Sequence, residues 1–388
     1  MKNLVFLLFG LALVVLGLHS CTRDNDVLTD DQLKAAGMNQ DDVLEAWGKP
    51  QNPGGGGSTP LILPLLTGAQ NGRAMGINNN GEIVGYSSIS GYWHPTYWSS
   101  STATPEDLGL PEGTSYAMAT AISDAGHIVG STTDIKSYTQ AIQFRPGPPV
   151  KLEHLYPAGI DYAWEVNNNG RISGSTYDLP NLKRSYAWGV YWENGQIHDI
   201  GKFPDALKWT VTNGINDAGT MVGYAVVSDG RNIPFHWNNG SFTALPYLGQ
   251  GFGQQIAYDI NNNGDIVGAC QDDNRTIHPV RWSNGQLIDL GIFPGNINGG
   301  WAEAVAVNEN GVAVGWGWGQ DGFKHALLFM DGKIIQLPEP SGAFPPISMA
   351  YDINDAGQIV GESSFDGSYQ LKPVLWTIDS GKPKGRGK

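Results

Sequence analysis

The sequence predicts an all-β protein, a seven-bladed β-propeller of four-stranded antiparallel blades that is closed by an N-terminal strand. Two observations predict this fold. A polar turn motif recurs seven times at a spacing of 44 to 49 residues, and each copy contains four short candidate strands. A fixed period of this length is typical of propellers and solenoids. With 53 glycines and only 15% charged residues, the composition also favours a turn-rich β protein over a helical bundle.

The motif begins with an anchor residue that ends the first strand of each copy. The seven anchors are Asn78, Ser123, Asn167, Asn216, Asn261, Asn308 and Asn354. A glycine follows three positions later and a second glycine four positions after that. The first glycine predicts a type I turn with a glycine bulge between strands one and two. Asn-Gly or Asp-Gly pairs, such as Asn239-Gly240, predict tight hairpins between strands three and four.

The two ends of the repeat region complement each other. The last copy stops after its third strand, at Trp376, whereas a spare strand-like segment, residues 61–66, precedes the first copy. We predict that this segment supplies strand four of the seventh blade, which closes the ring. Pro64 suits an outermost strand, where its missing N–H faces no partner. The propeller is therefore expected to span residues 60–378.

The chain begins with a segment typical of export. In residues 1–20, Lys2 precedes an apolar run that ends at Cys21, and Leu18-His19-Ser20-Cys21 resembles a lipoprotein signal. We predict a lipid on Cys21, hence an exported outer-membrane lipoprotein that faces the periplasm or the cell surface. The alternative is an ordinary signal peptide with a chance cysteine. Residues 21–59 are predicted to be an acidic, glycine-rich flexible tether, and residues 379–388 a basic disordered tail.

Charge and motif content exclude several classes of function. A net charge of −14 argues against nucleic-acid binding. The segment Asp259-x-Asn261-x-Asn263-Gly264 resembles half of a calcium loop, but Cys270 stands where a bidentate Glu is required, and a hairpin turn explains the pattern better. We therefore predict no metal and no cofactor. Cys270 itself is interpreted as a small strand residue, and the protein is expected to be a monomer.

The long, variable connections follow strands two and four, so they share one face of the propeller, here called the loop face; the tight turns share the opposite turn face. Variable loops on a rigid scaffold are where binding residues concentrate. Candidate ligand-binding residues there are Tyr92, His94, Tyr138, Arg184, Trp209, Arg231, Arg275, His278, Trp301, Lys324 and His325. Aromatic rings with cationic groups suit a sugar, particularly an anionic one. The alternative is that these aromatics fill gaps between blades.

The catalytic candidates are fewer. They are His94, His278 and His325, which fall at equivalent positions on the third strand, and Tyr186. Packing is the competing interpretation of the three histidines. Glu165, Asp259 and Asp352 share one position on strand one and are predicted to ring the central channel.

The copies resemble the HAF repeats of extracellular bacterial proteins over residues 61 to about 378. The Ile-Asn-x-x-Gly-x-Ile-Val-Gly core carries the resemblance, with His94-Pro95, His278-Pro279 and His325-Ala326 as degenerate forms of the naming triplet. The resemblance implies an exported repeat domain and transfers no catalytic residue. We predict a module that binds a glycan or an envelope protein through the loop face. The alternative is a polysaccharide lyase or another enzyme that acts on an anionic polysaccharide.

Overall fold

The computed structural model describes residues 59–378, except for residues 135–137, 157–158, 179–185, 295–299, 341, 344 and 366–367. For residues 208, 368 and 369 it describes the main chain and not the side chain. The predicted signal peptide, Cys21, nearly all of the tether and the basic tail lie outside the described residues. None of the helices searched in the described part of the chain is long and apolar enough to cross a membrane.

The described residues form seven four-stranded antiparallel blades, of which blades 3 and 4 are joined into one sheet, and this confirms the predicted fold. The strands of blades 1 to 3 are β2 (Ala69–Ile77), β3 (Ile83–Ile89), β4 (Tyr92–Trp98), β5 (Glu106–Asp107), β6 (Thr114–Ile122), β7 (Ile128–Asp134), β8 (Thr139–Arg145), β9 (Val150–Lys151), β10 (Ile160–Val166), β11 (Ile172–Asp178), β12 (Tyr186–Glu193) and β13 (Gln196–Asp199). Those of blades 4 and 5 are β14 (Ala206–Ile215), β15 (Met221–Val227), β16 (Asn232–Asn238), β17 (Ser241–Ala244), β18 (Gln255–Ile260), β19 (Ile266–Gln271), β20 (Ile277–Ser283) and β21 (Gln286–Asp289). Those of blades 6 and 7 are β22 (Ala302–Val307), β23 (Ala313–Trp318), β24 (Lys324–Met330), β25 (Lys333–Gln336), β26 (Ser348–Ile353), β27 (Gln358–Phe365), β28 (Ser368–Thr377) and β1 (Leu61–Ile62).

The N-terminal strand closes the seventh blade, as predicted. Strand β1 pairs antiparallel with β28, with Leu61 opposite Leu375 and Ile62 opposite Val374. The pairing continues one residue further, because the Leu63 N–H donates to the Pro373 carbonyl at 2.9 Å. Strand β1 is the outermost strand of its sheet, so Pro64 follows an edge that needs no further donor.

Each anchor asparagine connects a turn to the next blade. Its Oδ1 accepts main-chain N–H groups of its own turn; in blade 1, Asn78 Oδ1 accepts from Asn80 and Glu82. Its Nδ2 donates to the anchor carbonyl of the following blade, from Asn78 to Ser123 and from Asn354 back to Asn78. An Asx-type turn thus leaves the amide N–H₂ available for a contact between blades.

The second glycine of the motif is required by a bulge in strand one. Every first strand shifts register just before the turn, for example between Ala74 and Gly76 in blade 1. The bulge presses a main-chain carbonyl onto the opposing strand: a Cβ on Gly85 would lie 1.9 Å from the Arg73 oxygen. The corresponding separation is 1.9 to 2.1 Å in the other six blades, so no side chain fits at this position.

Buried tryptophans of strand three attach alternate blades to the blade before them. Trp98, Trp192, Trp282 and Trp376 are each at most 1% exposed. The indole N–H of each donates to a carbonyl that follows strand four of the preceding blade; these acceptors are Pro64, Glu153, Pro246 and Pro338. A large apolar ring therefore fills the space between two sheets while its one polar atom is satisfied.

Candidate functional site

The central channel has two chemically different ends. The first strands of neighbouring blades pack against one another all round the ring, so strand one lines the axis. The turn-face end is a cavity of about 150 Å³ lined by the residues before, at and after the seven anchors, which are Ile, Val, Asn, Ser, Asp and Glu. The loop-face end carries the partly exposed aromatic side chains described below. Ligand chemistry is therefore expected to differ between the two ends.

Seven acidic residues line the turn-face cavity, and three of them, Glu165, Asp259 and Asp352, occupy the predicted strand-one position two residues before an anchor. Asp259 Oδ2 accepts the N–H of Val307 at 2.8 Å, and Asp352 Oδ2 accepts the N–H of Ile77 at 2.8 Å. Burial raises the pKa of Asp259 to about 6 and that of Asp352 to about 7, although these N–H groups pull both values down. Burial, reinforced by the charges of Asp259 and Asp352, raises the pKa of Glu165 well above its usual range. Asp259 and Asp352 thus bind the blades together at this end.

In the motif that resembles half of a calcium loop, the asparagine side chains form hydrogen bonds within the turn and to the next blade. Asn261 Oδ1 accepts the Asp265 N–H at 2.9 Å, and Asn263 Nδ2 donates to Glu309. Among the described residues there is no group of three or more His, Cys, Asp or Glu arranged to hold a metal ion. Cys270, at the twelfth position of the motif, is fully buried, and burial raises the pKa of its thiol to about 12.

One group of aromatic and charged side chains on the loop face lies between blades 5 and 6. We call it the Trp316 cluster and define it by its residues: Trp301, Glu303, Trp316, Trp318 and Lys324. The rings of Trp301 and Trp316 are 6.2 Å apart at an angle of 36°. Lys324 Nζ lies 4.6 Å from the centre of the Trp316 ring and 5.3 Å from that of Trp318. These distances place the ammonium group in cation–π range of both rings.

A buried carboxylate lies behind these rings. Glu303 is 1% exposed and accepts three hydrogen bonds, from Trp301 Nε1 at 2.7 Å, Gln254 Nε2 at 2.8 Å and Tyr258 OH at 2.8 Å. Burial raises the pKa of Glu303, while the three donors and the charge of Lys324 act in the opposite direction. Three donors leave the carboxylate with acceptor capacity to spare. The network also fixes the Trp301 indole in one orientation.

The cluster combines two predicted residues with others that the sequence analysis did not select. Trp301 and Lys324 were predicted as ligand contacts, and both contact Trp316. Trp316 and Trp318 in the cluster, and Tyr258 and Gln254 beside it, were not among the predicted candidates. A usable signal existed for two of them, because Trp316-Gly317-Trp318 places two tryptophans in one strand. At the position of Trp316 the other copies have Tyr86 and Tyr224 or a non-aromatic residue such as Ser131.

The three candidate histidines do not come together. Each pairs within its own blade with an acid on or after strand four: His94 Nδ1 lies 2.9 Å from Asp107, His278 Nδ1 lies 2.9 Å from Asp289, and His325 Nδ1 lies 2.7 Å from Glu339. For His278 the approach is off the line of a hydrogen bond. These pairs connect strand three to strand four.

His325 has the most strongly perturbed imidazole. Its Nε2 lies 3.0 Å from Asp321 and the ring is 3% exposed. Burial alone would lower the pKa of His325, but hydrogen bonds to Asp321 and Glu339 and their charges raise it to about 9. The ring is therefore protonated at neutral pH, which is the wrong state for a general base.

The remaining candidates are spread around the loop face. Tyr92 is 48% exposed and contacts Tyr116, with ring centres 5.3 Å apart. Tyr138 is 52% exposed and lies beside a cavity in blade 2. The ring centres of Tyr186 and Trp188 are 5.6 Å apart. The main chain of Trp209 pairs in parallel with that of Ala187, and this single pairing joins blades 3 and 4 into one sheet.

Two of the three candidate arginines lie in described parts of the loop face. Arg231 is paired with Asp229 at 2.7 Å and donates to Tyr247 OH at 3.2 Å. Arg275 is exposed at a tight turn, with a positive φ of 69°. Arg184 lies outside the described residues.

Comparison with known proteins identifies no family. No family model matches the sequence, and no curated protein matches it. Among solved structures, TolB from Acinetobacter baumannii is 11% identical with a TM-score of 0.41, over 76% of this chain and 80% of that one. A mutant Aleuria aurantia lectin in complex with α-methyl-L-fucoside is 11% identical with a TM-score of 0.40, over 73% of this chain and 99% of that one. A Trypanosoma rangeli sialidase in complex with the inhibitor DANA is 10% identical with a TM-score of 0.43, over 85% of this chain and 60% of that one.

These similarities concern the fold alone and say nothing about the site or its ligand. The resemblance to HAF repeats accordingly stays a prediction. What the strand pairing and ring closure establish is a β-propeller of seven blades.

Proposed function

We propose that the protein is an exported, lipid-anchored carbohydrate-binding module that holds a glycan on its loop face at the Trp316 cluster. The observation that carries the proposal is the combination of Trp301, Trp318 and Lys324, all partly exposed, around the buried carboxylate of Glu303. Flat aromatic faces stack on the C–H faces of sugars, and charged donors and acceptors at the ring edges bind their hydroxyl groups.

Rigidity supports this assignment. The Trp301 indole is held by Glu303 at 2.7 Å, and the Trp301 carbonyl accepts the Trp318 N–H at 2.9 Å. A site whose aromatic rings are already fixed loses little conformational entropy when a flexible oligosaccharide binds. The distribution of aromatics supports it too, because the opposite end of the channel is lined by Asn, Asp and aliphatic residues.

The lyase alternative finds less support. A lyase requires a neutral His or a Tyr as general base beside a cation that neutralises a uronate. The candidate histidines His94, His278 and His325 each face a carboxylate within their own blade, and His325 is protonated at neutral pH. Tyr186 packs against Trp188. Next to the Trp316 cluster, the Tyr258 hydroxyl donates to Glu303 at 2.8 Å, and burial raises the pKa of Tyr258 well above its usual range, so this tyrosine is a poor general base.

Affinity electrophoresis tests the proposal directly. The mature protein would be run in native gels that contain neutral or uronic-acid polysaccharides, beside Trp301→Ala and Lys324→Gln variants. We expect at least one polysaccharide to retard the native chain and both substitutions to abolish that retardation. Absorbance near 232 nm, followed in parallel, would reveal the unsaturated product of a lyase. Product formation, or retardation unaffected by both substitutions, would contradict the proposal. If no polysaccharide retards the protein, a protein partner becomes the better explanation of the loop face.

A further inference from the structure

A second cavity lies away from the Trp316 cluster, at the loop-face end of blade 2. It has a volume of about 200 Å³ and we call it the blade 2 cavity. Its lining consists of Thr114, Thr132, Asp134, Tyr138, Gln140, Lys151, His154 and Gly159. A dry cavity of about 150 Å³ accepts benzene, so this one has room for a single six-membered ring with substituents. Among the described residues that line it, all but Gly159 carry a polar side chain, which argues against a wholly apolar ligand.

A histidine in the cavity is positioned by a buried acid. His154 lines the cavity and is partly exposed, and its Nδ1 is hydrogen bonded to Asp161, whose side chain is fully buried. This contact fixes the ring and directs Nε2 away from Asp161. The other Asp161 oxygen, Oδ1, has no hydrogen-bond partner among the described residues, and the same holds for Thr176 Oγ1 on the facing strand. Asp161 therefore acts as a positioning residue for His154.

The other walls present acceptors. The hydroxyl groups of Thr114 and Thr132 already donate, to the carbonyls of Pro111 at 2.6 Å and Tyr116 at 2.9 Å. The Gln140 side-chain amide donates to the Leu152 carbonyl at 2.9 Å. Because the Thr114 and Thr132 hydroxyls already donate their hydrogens, their oxygens and the amide oxygen of Gln140 can only accept hydrogen bonds from a ligand. Lys151, which is exposed, supplies a donor.

The floor of the cavity depends on a glycine. A Cβ on Gly159 would lie 3.1 Å from the Tyr156 carbonyl and 3.3 Å from Thr176 Oγ1. Tyr138 provides an aromatic ring that is 52% exposed at the rim. A cavity with several acceptors, the nitrogen-bearing side chains of Gln140, Lys151 and His154, and one aromatic ring at its rim matches a ligand that carries many hydroxyl groups on one small ring.

We infer that the blade 2 cavity is a separate binding site for a single sugar ring, in which the acceptors of Thr114, Thr132 and Gln140 receive ring hydroxyls. His154 Nε2 and Lys151 Nζ contact the ligand from the opposite wall. Neutral hexoses and hexuronates share this chemistry. A carboxylate on the ligand adds an ion pair with Lys151, and the charge of Asp134, which also lines the cavity, keeps that carboxylate at the Lys151 side. The inference does not depend on the Trp316 cluster, which lies between blades 5 and 6.

Titration calorimetry on the whole mature chain tests the inference with four probes: D-glucose, D-galactose, D-glucuronate and D-galacturonate. We expect saturable binding of at least one probe, weakened about tenfold or more, or about 1.4 kcal/mol, in Lys151→Gln and His154→Gln. Lys333→Gln serves as the matched control, because Lys333 is also an exposed lysine on a fourth strand, in blade 6. Its binding should equal that of the native chain.

Two further arms keep the result interpretable. Titration of Trp301→Ala with the same probe separates the two sites. Binding that survives Trp301→Ala and is lost in Lys151→Gln and His154→Gln belongs to the blade 2 cavity, so failure of the proposed glycan surface and failure of this cavity are distinct outcomes. If a hexuronate binds more tightly than the hexoses and loses that advantage in Lys151→Gln, the ligand carboxylate is the group that Lys151 contacts. If the hexoses bind with equal affinity, the contacted groups are the ring hydroxyls. Absence of saturable binding of all four probes, or binding that survives both Lys151→Gln and His154→Gln, would overturn the inference.

Discussion

The main-chain N–H of Asp355 donates a 2.9 Å hydrogen bond to Oδ1 of Asn79, a residue 276 positions earlier in the chain. It is one of seven such bonds around the ring, each between a main-chain N–H after one anchor and the side chain of the residue that follows the next anchor. In six of them the N–H belongs to the residue directly after the anchor, and in blade 2 it belongs to Ala125, one position later. The others join Asn79 to Asp124, Ala125 to Asn168, Asn168 to Asp217, Asp217 to Asn262, Asn262 to Glu309 and Glu309 to Asp355. Hydrogen bonds thus encircle the turn face, and the one from Asp355 to Asn79 joins blade 7 to blade 1, so it forms only when the ring is closed.

An inner ring, made by the anchor side chains, is incomplete at one blade. Six anchor asparagines donate Nδ2 to the next anchor carbonyl at 2.9 to 3.2 Å. Blade 2 has Ser123 instead, whose Oγ caps its own turn by accepting the His127 N–H but is too short to reach Asn167. We expect Ser123→Asn to complete the ring and raise the free energy of unfolding by about 0.5 to 1.5 kcal/mol.

Urea unfolding measures this gain, and the reverse substitution checks it. Asn354→Ser keeps the cap but removes the bond to Asn78, so it should cost about 1 to 3 kcal/mol because a buried carbonyl loses its donor. Ser99→Asn, at an exposed turn position, is the matched control and should change little. A destabilised Ser123→Asn variant would show that the turn of blade 2 cannot accommodate the longer side chain.

Because the segment that begins with strand β1 closes the ring, we predict that truncation of two nearby leucines, Leu61 and Leu63, lowers the free energy of unfolding by different amounts. Leu63 is 1% exposed and packs with Trp98 and Leu375, whereas Leu61 is 43% exposed. We expect Leu63→Ala to lower the free energy of unfolding by about 2 to 5 kcal/mol through the cavity it creates. Leu61→Ala should cost much less. Equal effects, measured by denaturant unfolding, would mean that this strand contributes little to closing the ring.

The raised carboxylate pKa values predict that stability falls as pH rises through mild acid. Asp259 and Asp352 titrate at about 6 and about 7 in the folded protein, against about 3.9 in an unfolded chain. The folded state therefore binds more protons between pH 4 and 7. The resulting stabilisation is fully present below pH 4 and is lost as pH rises through 6 to 7.

The midpoint of urea unfolding, measured at several pH values between 4 and 8, tests this dependence. The quantity compared between proteins is the slope of that midpoint against pH. Asp352→Asn should make the fall of the midpoint above pH 6 less steep, because the titrating carboxyl is gone. Its overall stability should also be lower, because the amide nitrogen replaces one of the two oxygens that accept hydrogen bonds. Asp331→Asn is the control, since Asp331 lies at an exposed hairpin turn. An unchanged slope in Asp352→Asn would assign the pH dependence to other groups.

His325 predicts a second, more alkaline transition. Its folded pKa is about 9 and that of an unfolded histidine is about 6.5, so its stabilisation is fully present below 6.5 and is lost as pH rises through 9. Imidazole resonances in NMR should show one ring that titrates near pH 9. Asp321→Asn should move that midpoint downward because it removes one charged acceptor. A ring that titrates near 6.5 in the native protein would disprove the pairing.

The sequence was sufficient for the local features of this fold because turn chemistry is local. The positive φ of Asn239 and Gly240, 46° and 85°, matches the predicted tight hairpin, and the glycine spacing matches the turn that every copy forms. Closure by residues 61–66 could be predicted because strands were counted and one was missing at the end. No contact had to be known in advance.

The site was less accessible because its contacts join different parts of a blade or different blades. Trp301 and Lys324 were selected, but their meeting at Trp316 depends on strand register. Likewise, His94 and Asp107 are separated by 13 residues, so the acid partner of the histidine appears only when strands three and four are paired. Residue types alone indicated an aromatic loop face, and they could not show which aromatics share one surface.

The most direct measurement is the dissociation constant of the native protein for the polysaccharide that retards it, compared with that of three variants. Titration would be followed by tryptophan emission or calorimetry. If the Trp316 cluster is the binding surface, Trp301→Ala and Lys324→Gln should each weaken binding about tenfold or more, about 1.4 kcal/mol. His94→Ala, on the same face in blade 1, should leave it unchanged. Equal affinity in all four proteins, or a loss confined to His94→Ala, would contradict the assignment of the site.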